Sequence, residues 1–243
     1  MSTMQGVDCS FDLLTPEEAV DLKAAGVEVF MQCLLAQPSS GPVQPDCRVI
    51  NLRNASMAGM KILGYIVLPS GAGAESGLQA VEMGRSGVPK DLWDRLLFVE
   101  ADVELPMQLA SIRNMVNRLA EWGKGKVIYT NYSTWANVLN NPKSFTDCLL
   151  HNANWHNAPN IAFASLPFGG WTIQQVLAEQ WSGGTYVQGQ FADRNTFVTE
   201  LLLPAATDPC GLLKLRAQFL EEVARAAADG DYKTLVRWGQ YLG

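Results

Sequence analysis

Short apolar segments rich in β-branched residues alternate along the chain with segments whose apolar residues recur at helical spacing. The helical segments are 15–26, 51–60, 73–84, 107–122 and 133–139. The apolar segments predict strands over 6–10, 27–35, 62–68, 96–104, 126–130, 149–153, 174–181 and 186–191. Such alternation implies a parallel sheet in an α/β protein. We therefore expect a (β/α)8-type, TIM-like barrel, regular or irregular in detail.

An open doubly wound sheet is the alternative architecture, but no glycine-rich phosphate loop follows any predicted strand. The segment 208–243 departs from the strand–helix rhythm, because its apolar residues recur at helical spacing alone: Leu212, Leu215, Phe219 and Val223. We expect a barrel over 1–205 and a helical extension over 206–243. The extension would pack on the barrel or on a protein partner, a second copy of the chain included.

The amino-acid composition limits which classes of function are possible for this chain. Hydrophobic residues make up 48% of the 243 residues and charged residues 17%, which excludes a disordered chain. The net charge of -6 and the absence of any basic run argue against nucleic acid as the main partner. No apolar run is long enough to span a membrane, and residues 1–7 lack the features of a secretory signal.

Cysteine and histidine content limits the chemistry further. The five cysteines are scattered and lack CxxC spacing, so we expect reduced thiols packed as small hydrophobic groups. The two histidines leave little material for a histidine-rich metal site or a Ser-His-Asp triad. We predict no metal and no cofactor.

Three carboxylates occupy every second position at the end of the predicted strand 96–104: Glu100, Asp102 and Glu104. A strand sends such residues to one face, about 6–7 Å apart. Because like charges repel, at least one of these carboxyls should hold its proton in a partly dry site. A protonated acid beside an ionised carboxylate is what cleavage of a glycosidic bond requires. A solvated strand edge, or ion pairs with Arg or Lys, is the alternative.

Two further acids, Asp8 and Asp193, follow predicted strands. In a parallel barrel the active site lies at the carboxyl ends of the strands, and in a closed barrel the first and last strands are neighbours. We therefore expect Asp8 and Asp193 to approach each other. The alternatives are a capping role for Asp8 and an ion pair between Asp193 and Arg194.

These acids lie in segments that resemble the glycoside hydrolase family 25 lysozymes (muramidases). Residues 6–10 resemble the opening Gly-(Ile/Val)-Asp-x-Ser of that family, 102–104 its central Asp-x-Glu, and 193–195 its closing Asp-x-Asn. Intervening segments are similar too: 58–65, 127–131 with Trp135, 150–155 and 180–181. The chain departs from the family pattern where His151 and Glu179 each stand in place of a Trp, at 66–67, and in the second strand.

The resemblance implies a retaining hydrolase of peptidoglycan. Glu104 would be the general acid and base, and Asp102 would orient the substrate's own acetamido group as it attacks the anomeric carbon. Asp8 and Asp193 would set the electrostatics. The predicted substrate-binding residues are Tyr65, Tyr129, Trp155, Gln180, Trp181, Asn195 and Glu100. Tyr65 would line the same subsite, and Tyr129, Trp155 and Trp181 would stack on sugar rings; the alternative for these three is packing in the core.

The resemblance also implies a protein that acts on the extracellular cell wall. Without a secretory signal, we expect a phage lysin, a virion-associated protein or a cytoplasmic pool before release. Two other readings stay open. A family 18 chitinase-like glycosidase would use 100–104 as a variant of Asp-x-Asp-x-Glu, and a non-catalytic glycan-binding or virion structural domain would keep only the barrel.

Overall fold

A computed structural model describes residues 2–35, 45–162, 166 and 168–202 of the chain. In this part of the chain eight strands form one closed barrel in sequential order. The strands are β1 (Thr3–Cys9), β2 (Val27–Leu35), β3 (Lys61–Val67), β4 (Val99–Asp102), β5 (Val127–Thr130), β6 (Leu149–Ala153), β7 (Val176–Val187) and β8 (Gln190–Val198). The predicted extension 206–243 lies outside the described residues.

Helices cover the outside of the barrel. They are α1 (Pro16–Ala24), α2 (Pro45–Met57), α3 (Ala74–Ser86), α4 (Lys90–Arg95), α5 (Leu109–Glu121) and α6 (Thr199–Leu202). A π-helical segment (Ser133–Val138) follows β5, and a 3-10 turn (Ile173–Gln175) precedes β7. Helix α1 starts with a capping box, in which the Thr15 side chain accepts from the Glu18 backbone N–H and the Glu18 side chain accepts from the Thr15 backbone N–H.

The predicted α/β barrel is confirmed, in an irregular form. Neighbouring strands from β1 to β7 are parallel, but β8 runs antiparallel to both β7 and β1. The expectation of a parallel sheet throughout is therefore wrong at β8. Residues 186–191 form the tip of a β7–β8 hairpin, since Gln188 and Gly189 both take positive φ angles between the paired Val187 and Gln190. A two-residue turn with both φ angles positive reverses the chain directly, without a crossover helix.

Alternate side chains of each strand separate two layers of core. On β2, Phe30 and Leu34 pack outward under the helices, whereas Met31 and Cys33 belong to the cluster inside the barrel. The four described cysteines are free and buried, as expected: Cys9, Cys33, Cys47 and Cys148. Within the described residues, no helix is long and apolar enough to cross a membrane. The inner cluster that contains Met31 and Cys33 fills part of the barrel interior with apolar side chains.

Candidate active site

A cavity of about 340 Å³ opens at the end of the barrel where the parallel strands finish. It is lined by Asp8, Ser10, Phe11, Met31, Cys33, Tyr65, Val67, Glu100, Asp102, Glu104, Tyr129, His151, Trp155, Gln180 and Asp193. Five of these residues carry carboxyl groups, and none is a lysine or an arginine. The cavity is therefore a concentrated acidic site at the position where barrel enzymes place their chemistry.

The four predicted catalytic acids all reach this cavity. Asp8 lies near the end of β1, Asp102 is the last residue of β4, and Glu104 stands two residues further on. The sequence predicts that Asp193 follows the last strand, but Asp193 lies within β8. Because β8 is reversed, its first residues lie at the end of the barrel where the other strands finish. The reversed strand is what brings Asp193 to the other acids.

The three alternating acids all line the cavity, as their spacing predicted, and they lie at different depths. Glu100 is fully buried, Asp102 is nearly so, and Glu104 is exposed at the rim. Burial raises the pKa of Asp102 well above its ordinary value, and the charges of Glu104, Glu100 and Asp8 raise it further. Desolvation, followed by the charge of Asp193, also raises the pKa of Glu104. The site therefore favours at least one protonated carboxyl, which a solvated strand edge would not do.

Asp8 and Asp193 are cross-strand partners on β1 and β8. Burial raises the pKa of Asp8 to about 7, and the charge of Asp193 adds to the rise. The Asn195 amide opposes it by donating a hydrogen bond of 2.7 Å to Asp8 Oδ2. Arg194 does not screen this pair, because its guanidinium lies over the ring of Trp181, 5.6 Å from the ring centroid.

Gln180 connects the two sides of the cavity. Its Nε2 donates to Asp8 Oδ2 at 3.1 Å and to Asp193 Oδ2 at 3.2 Å. Its Oε1 accepts from the Tyr129 hydroxyl at 2.8 Å and from Trp155 Nε1 at 2.7 Å. One buried amide thus holds two carboxylates and two aromatic rings in place.

The predicted aromatic residues divide into two groups. Tyr65 and Tyr129 line the cavity, and the Tyr65 hydroxyl lies 2.6 Å from Ser10 Oγ. Trp155 stands at the rim with 65% of its surface exposed, which suits a ring that meets a sugar face. Trp181 is absent from the lining, since it neighbours Gln180 on β7 and adjacent residues of a strand point to opposite faces. The structure therefore does not bring Trp181 to the cavity.

Sequence reasoning passed over His151, which lines the cavity from β6. Its Nδ1 lies 2.9 Å from Glu100 Oε2, and its Nε2 lies 2.9 Å from Asn195 Oδ1. Asn195 is itself fully buried behind the lining residues and donates a hydrogen bond to Asp8. A polar pair in the middle of the otherwise apolar strand 149–153 was the available signal.

A second cavity of about 170 Å³ adjoins the first and shares four of its residues: Asp8, Ser10, Phe11 and Asp193. Its other walls are Asp12, Phe191 and Ala192. Phe11 and Phe191 are each nearly half exposed. The acidic site therefore continues as a groove with aromatic sides.

No group of three or more His, Cys, Asp or Glu side chains among the described residues has the arrangement of a metal site. Among the pocket acids, Asp8 and Asp193 accept hydrogen bonds from the Gln180 amide, and Glu100 lies beside the His151 imidazole. Asp102 Oδ1 is buried and has no hydrogen-bond partner among the described residues.

Comparison with known proteins establishes the fold. No protein-family model and no curated protein matches the chain. The catalytic domain of endolysin ply40, from bacteriophage P40 of Listeria monocytogenes, has a similar structure with a TM-score of 0.62 at 14% identity, covering 83% of this chain and 96% of that one. GHIP, a glycosyl hydrolase 25 of Streptococcus pneumoniae, matches with a TM-score of 0.59 at 14% identity, covering 82% and 88%.

The Clostridium perfringens spore cortex lytic enzyme SleM is also similar, with a TM-score of 0.60 at 14% identity over 83% of this chain and 70% of that one. At these identities the likeness concerns the path of the backbone. The chain thus shares its barrel fold with an endolysin catalytic domain, a glycosyl hydrolase 25 and a spore cortex lytic enzyme.

Proposed function

We propose that the protein is a muramidase that hydrolyses the bond between N-acetylmuramic acid and N-acetylglucosamine in peptidoglycan. The observation that carries this proposal is the convergence of Asp8, Asp102, Glu104 and Asp193 on one open cavity at the mouth of the barrel. The fold it shares with lytic enzymes supports the same reaction class.

Glu104 has the position and protonation of a general acid. It stands at the rim, where the glycosidic oxygen of a bound polymer would lie, and desolvation and the charge of Asp193 raise its pKa in the direction that a general acid requires. As the bond to the leaving sugar breaks, Glu104 donates this proton to the leaving oxygen. In the second step the resulting carboxylate takes a proton from the attacking water.

Asp102 has the position of a group that orients the substrate's acetamido arm. Asp102 lines the cavity, and its buried Oδ1, which has no hydrogen-bond partner among the described residues, is an acceptor for an acetamido N–H. The acetamido oxygen then attacks the anomeric carbon, forming a cyclic oxazolinium ion whose N–H donates a hydrogen bond to the Asp102 carboxyl. Water opens this ion from the opposite face, so that the configuration of the sugar is retained. The protein needs to position the internal nucleophile, not to supply one.

The groove accounts for a polymeric substrate. Exposed rings of Trp155 and Phe191 flank the acidic cavity and suit the apolar faces of sugar rings. We propose the bacterial cell wall as the place of action, with release as an endolysin or as a virion-associated protein.

The test is turbidity loss of a purified cell-wall suspension together with release of reducing sugar. Products are reduced with borohydride and identified by mass spectrometry. Reduced muramic acid at the new chain ends supports a muramidase, and reduced glucosamine would contradict it. Glu104→Gln should lower the rate by about 10²–10⁴, the contribution of general acid catalysis. Wall binding without release of reducing sugar would show a glycan-binding domain instead.

A further inference from the structure

A continuous chain of buried hydrogen bonds crosses the floor of the cavity. It runs from Glu100 on β4 to His151 on β6, then to Asn195 on β8, and ends at Asp8 on β1. The three joining distances are 2.9, 2.9 and 2.7 Å. The side chains are at most 9% exposed, so water does not compete for these contacts. Four strands are thereby connected through side chains alone.

The groups at the two ends of this series of hydrogen bonds determine which atoms donate within it. Asn195 donates from Nδ2 to Asp8, so its Oδ1 faces His151 and can only accept. His151 Nε2 must therefore carry a hydrogen. Nδ1 faces Glu100 Oε2, and a carboxylate at this position can only accept, which requires a hydrogen on Nδ1 as well. With both nitrogens donating, the ring is an imidazolium.

The surroundings support this charge. His151 is the one basic side chain among the lining residues of a cavity that contains five carboxyls. Burial by itself lowers the pKa of His151, but the charge and hydrogen bond of Glu100 outweigh it, with a smaller contribution from Asp8, and the net pKa is raised. The nearest rings, Tyr129 at 5.1 Å and Phe197 at 5.6 Å between centroids, are neutral.

We propose that His151, held as an imidazolium by Glu100, is a positioning residue that fixes the Asp8 carboxyl through Asn195 and opposes its protonation beside Asp193. The proposal deepens the function proposed above and depends on it only where activity is the readout. His151 touches no reacting atom in this scheme. Its role is to supply the positive charge that lets an acidic cluster remain partly ionised.

The titratable groups around this series of hydrogen bonds determine how the ionisation of Asp8 depends on pH. The titratable side chains that face it are Asp8 on β1, Cys33 on β2, Tyr65 on β3, Glu100 and Asp102 on β4, Glu104 beyond β4, Tyr129 on β5 and Asp193 on β8. Burial and the charge of Asp193 raise the pKa of Asp8, whereas the charge of His151 and the hydrogen bonds from Asn195 and Gln180 lower it. Loss of the imidazolium charge should therefore leave Asp8 protonated to a higher pH.

The first experiment uses the intact chain without a histidine tag. Because the chain has only two histidines, nuclear magnetic resonance of ¹⁵N-histidine-labelled protein resolves both rings, and His156→Gln assigns them. We expect both nitrogens of His151 to be protonated at pH 7. A His151 ring that is predominantly neutral at pH 7 would overturn the proposal, whether or not the protein is a hydrolase.

The second experiment compares Glu100→Gln with the wild type. The amide keeps an acceptor for Nδ1–H but removes the charge that stabilises the imidazolium. We expect His151 to titrate at lower pH and the ¹³C-carboxyl resonance of Asp8 to titrate at higher pH. If the variant is active, kcat on the acid side of the profile should fall about tenfold, as loss of a neighbouring opposite charge implies, while KM changes less.

Phe197→Leu is the matched control, because it alters packing on the His151 ring without removing a hydrogen bond. It should leave the Asp8 titration unchanged. A folded Glu100→Gln protein with wild-type titration of Asp8 would refute the positioning role. If wild-type protein releases no reducing sugar while His151 and Asp8 titrate as described, the hydrolase assignment fails and the ionisation inference stands.

Discussion

Asp8 on β1 and Asp193 on β8 lie directly opposite each other in the antiparallel pair that closes the barrel. Two carboxylates are thus brought together at the seam of the fold, where burial and mutual repulsion raise the pKa of Asp8 to about 7. A folded protein that holds such a group binds a proton more tightly than the unfolded chain. The electrostatics at this seam therefore lowers the free energy of unfolding at neutral pH.

We expect the free energy of unfolding to fall as the pH rises from about 4 to about 7. The native state keeps the Asp8 proton across this range, while the unfolded chain, with a pKa near 3.8, has released it. Asp8→Asn should flatten this slope in thermal melts recorded across the range. Asp147→Asn is the control with the opposite sign, because Lys126 and Arg113 lower the pKa of Asp147 to about 2. Its effect on stability should change below pH 4, and an unaltered slope in Asp8→Asn would contradict the assignment.

Gln180→Met should reduce kcat about 10- to 100-fold, as loss of a group that orients catalytic residues does. The substitution removes the amide that holds Asp8, Asp193, Tyr129 and Trp155 together. Reducing-sugar release from cell walls measures the effect. Trp181→Phe, one residue further along the same strand, should retain most of the activity because Trp181 lies outside the cavity lining. Equal losses in the two variants would mean that β7 acts only through stability.

A thiazoline analogue of N-acetylglucosamine, which mimics the cyclic oxazolinium intermediate, should inhibit the protein competitively. Asp102→Asn should weaken that inhibition, because an amide cannot give a proton to the thiazoline nitrogen and pair with the resulting cation, as a carboxyl can. Inhibition constants from the reducing-sugar assay compare the two proteins. An inhibitor that binds wild type and Asp102→Asn equally would remove Asp102 from the acetamido step.

Phe191→Ala should raise KM for intact cell wall several-fold and leave kcat nearly unchanged. The ring lines the adjoining groove, beyond the acids that would act on the bond. Its loss therefore removes contact area from a long substrate and should matter less for a short oligosaccharide. Ile173→Ala is a suitable control, since Ile173 is exposed to the same extent and does not line either cavity. A fall in kcat without a change in KM would argue against a binding groove.

Gly77→Ala should destabilise the fold by about 1–3 kcal/mol, the usual effect of overpacking. A Cβ atom at Gly77 on α3 would lie 2.1 Å from the backbone oxygen of Ser111 on α5, so the two helices would have to separate. Chemical denaturation measures the loss. Gly73→Ala is the control, because a Cβ there meets nothing within 4 Å. Equal stability of the two variants would show that α3 and α5 separate easily.

The alternating acids were predictable because a strand has a strict period of two. Glu100, Asp102 and Glu104 had to share a face wherever that strand lay, and they do. Their different depths were not predictable, since the strand ends at Asp102 and leaves Glu104 beyond it. Trp181 shows the limit of the same reasoning, because a residue next to a site residue on a strand points away from it.

Local sequence determined the order of the strands and helices. It also determined the acidic composition of the site and which four predicted acids would line it. Local patterns suffice for these features because propensity and periodicity act over a few residues. The reversal of β8 and the partnership of His151 with Glu100 were decided by tertiary structure. The first depends on the backbone angles of a two-residue turn, and the second on how strands far apart in sequence align when the barrel closes.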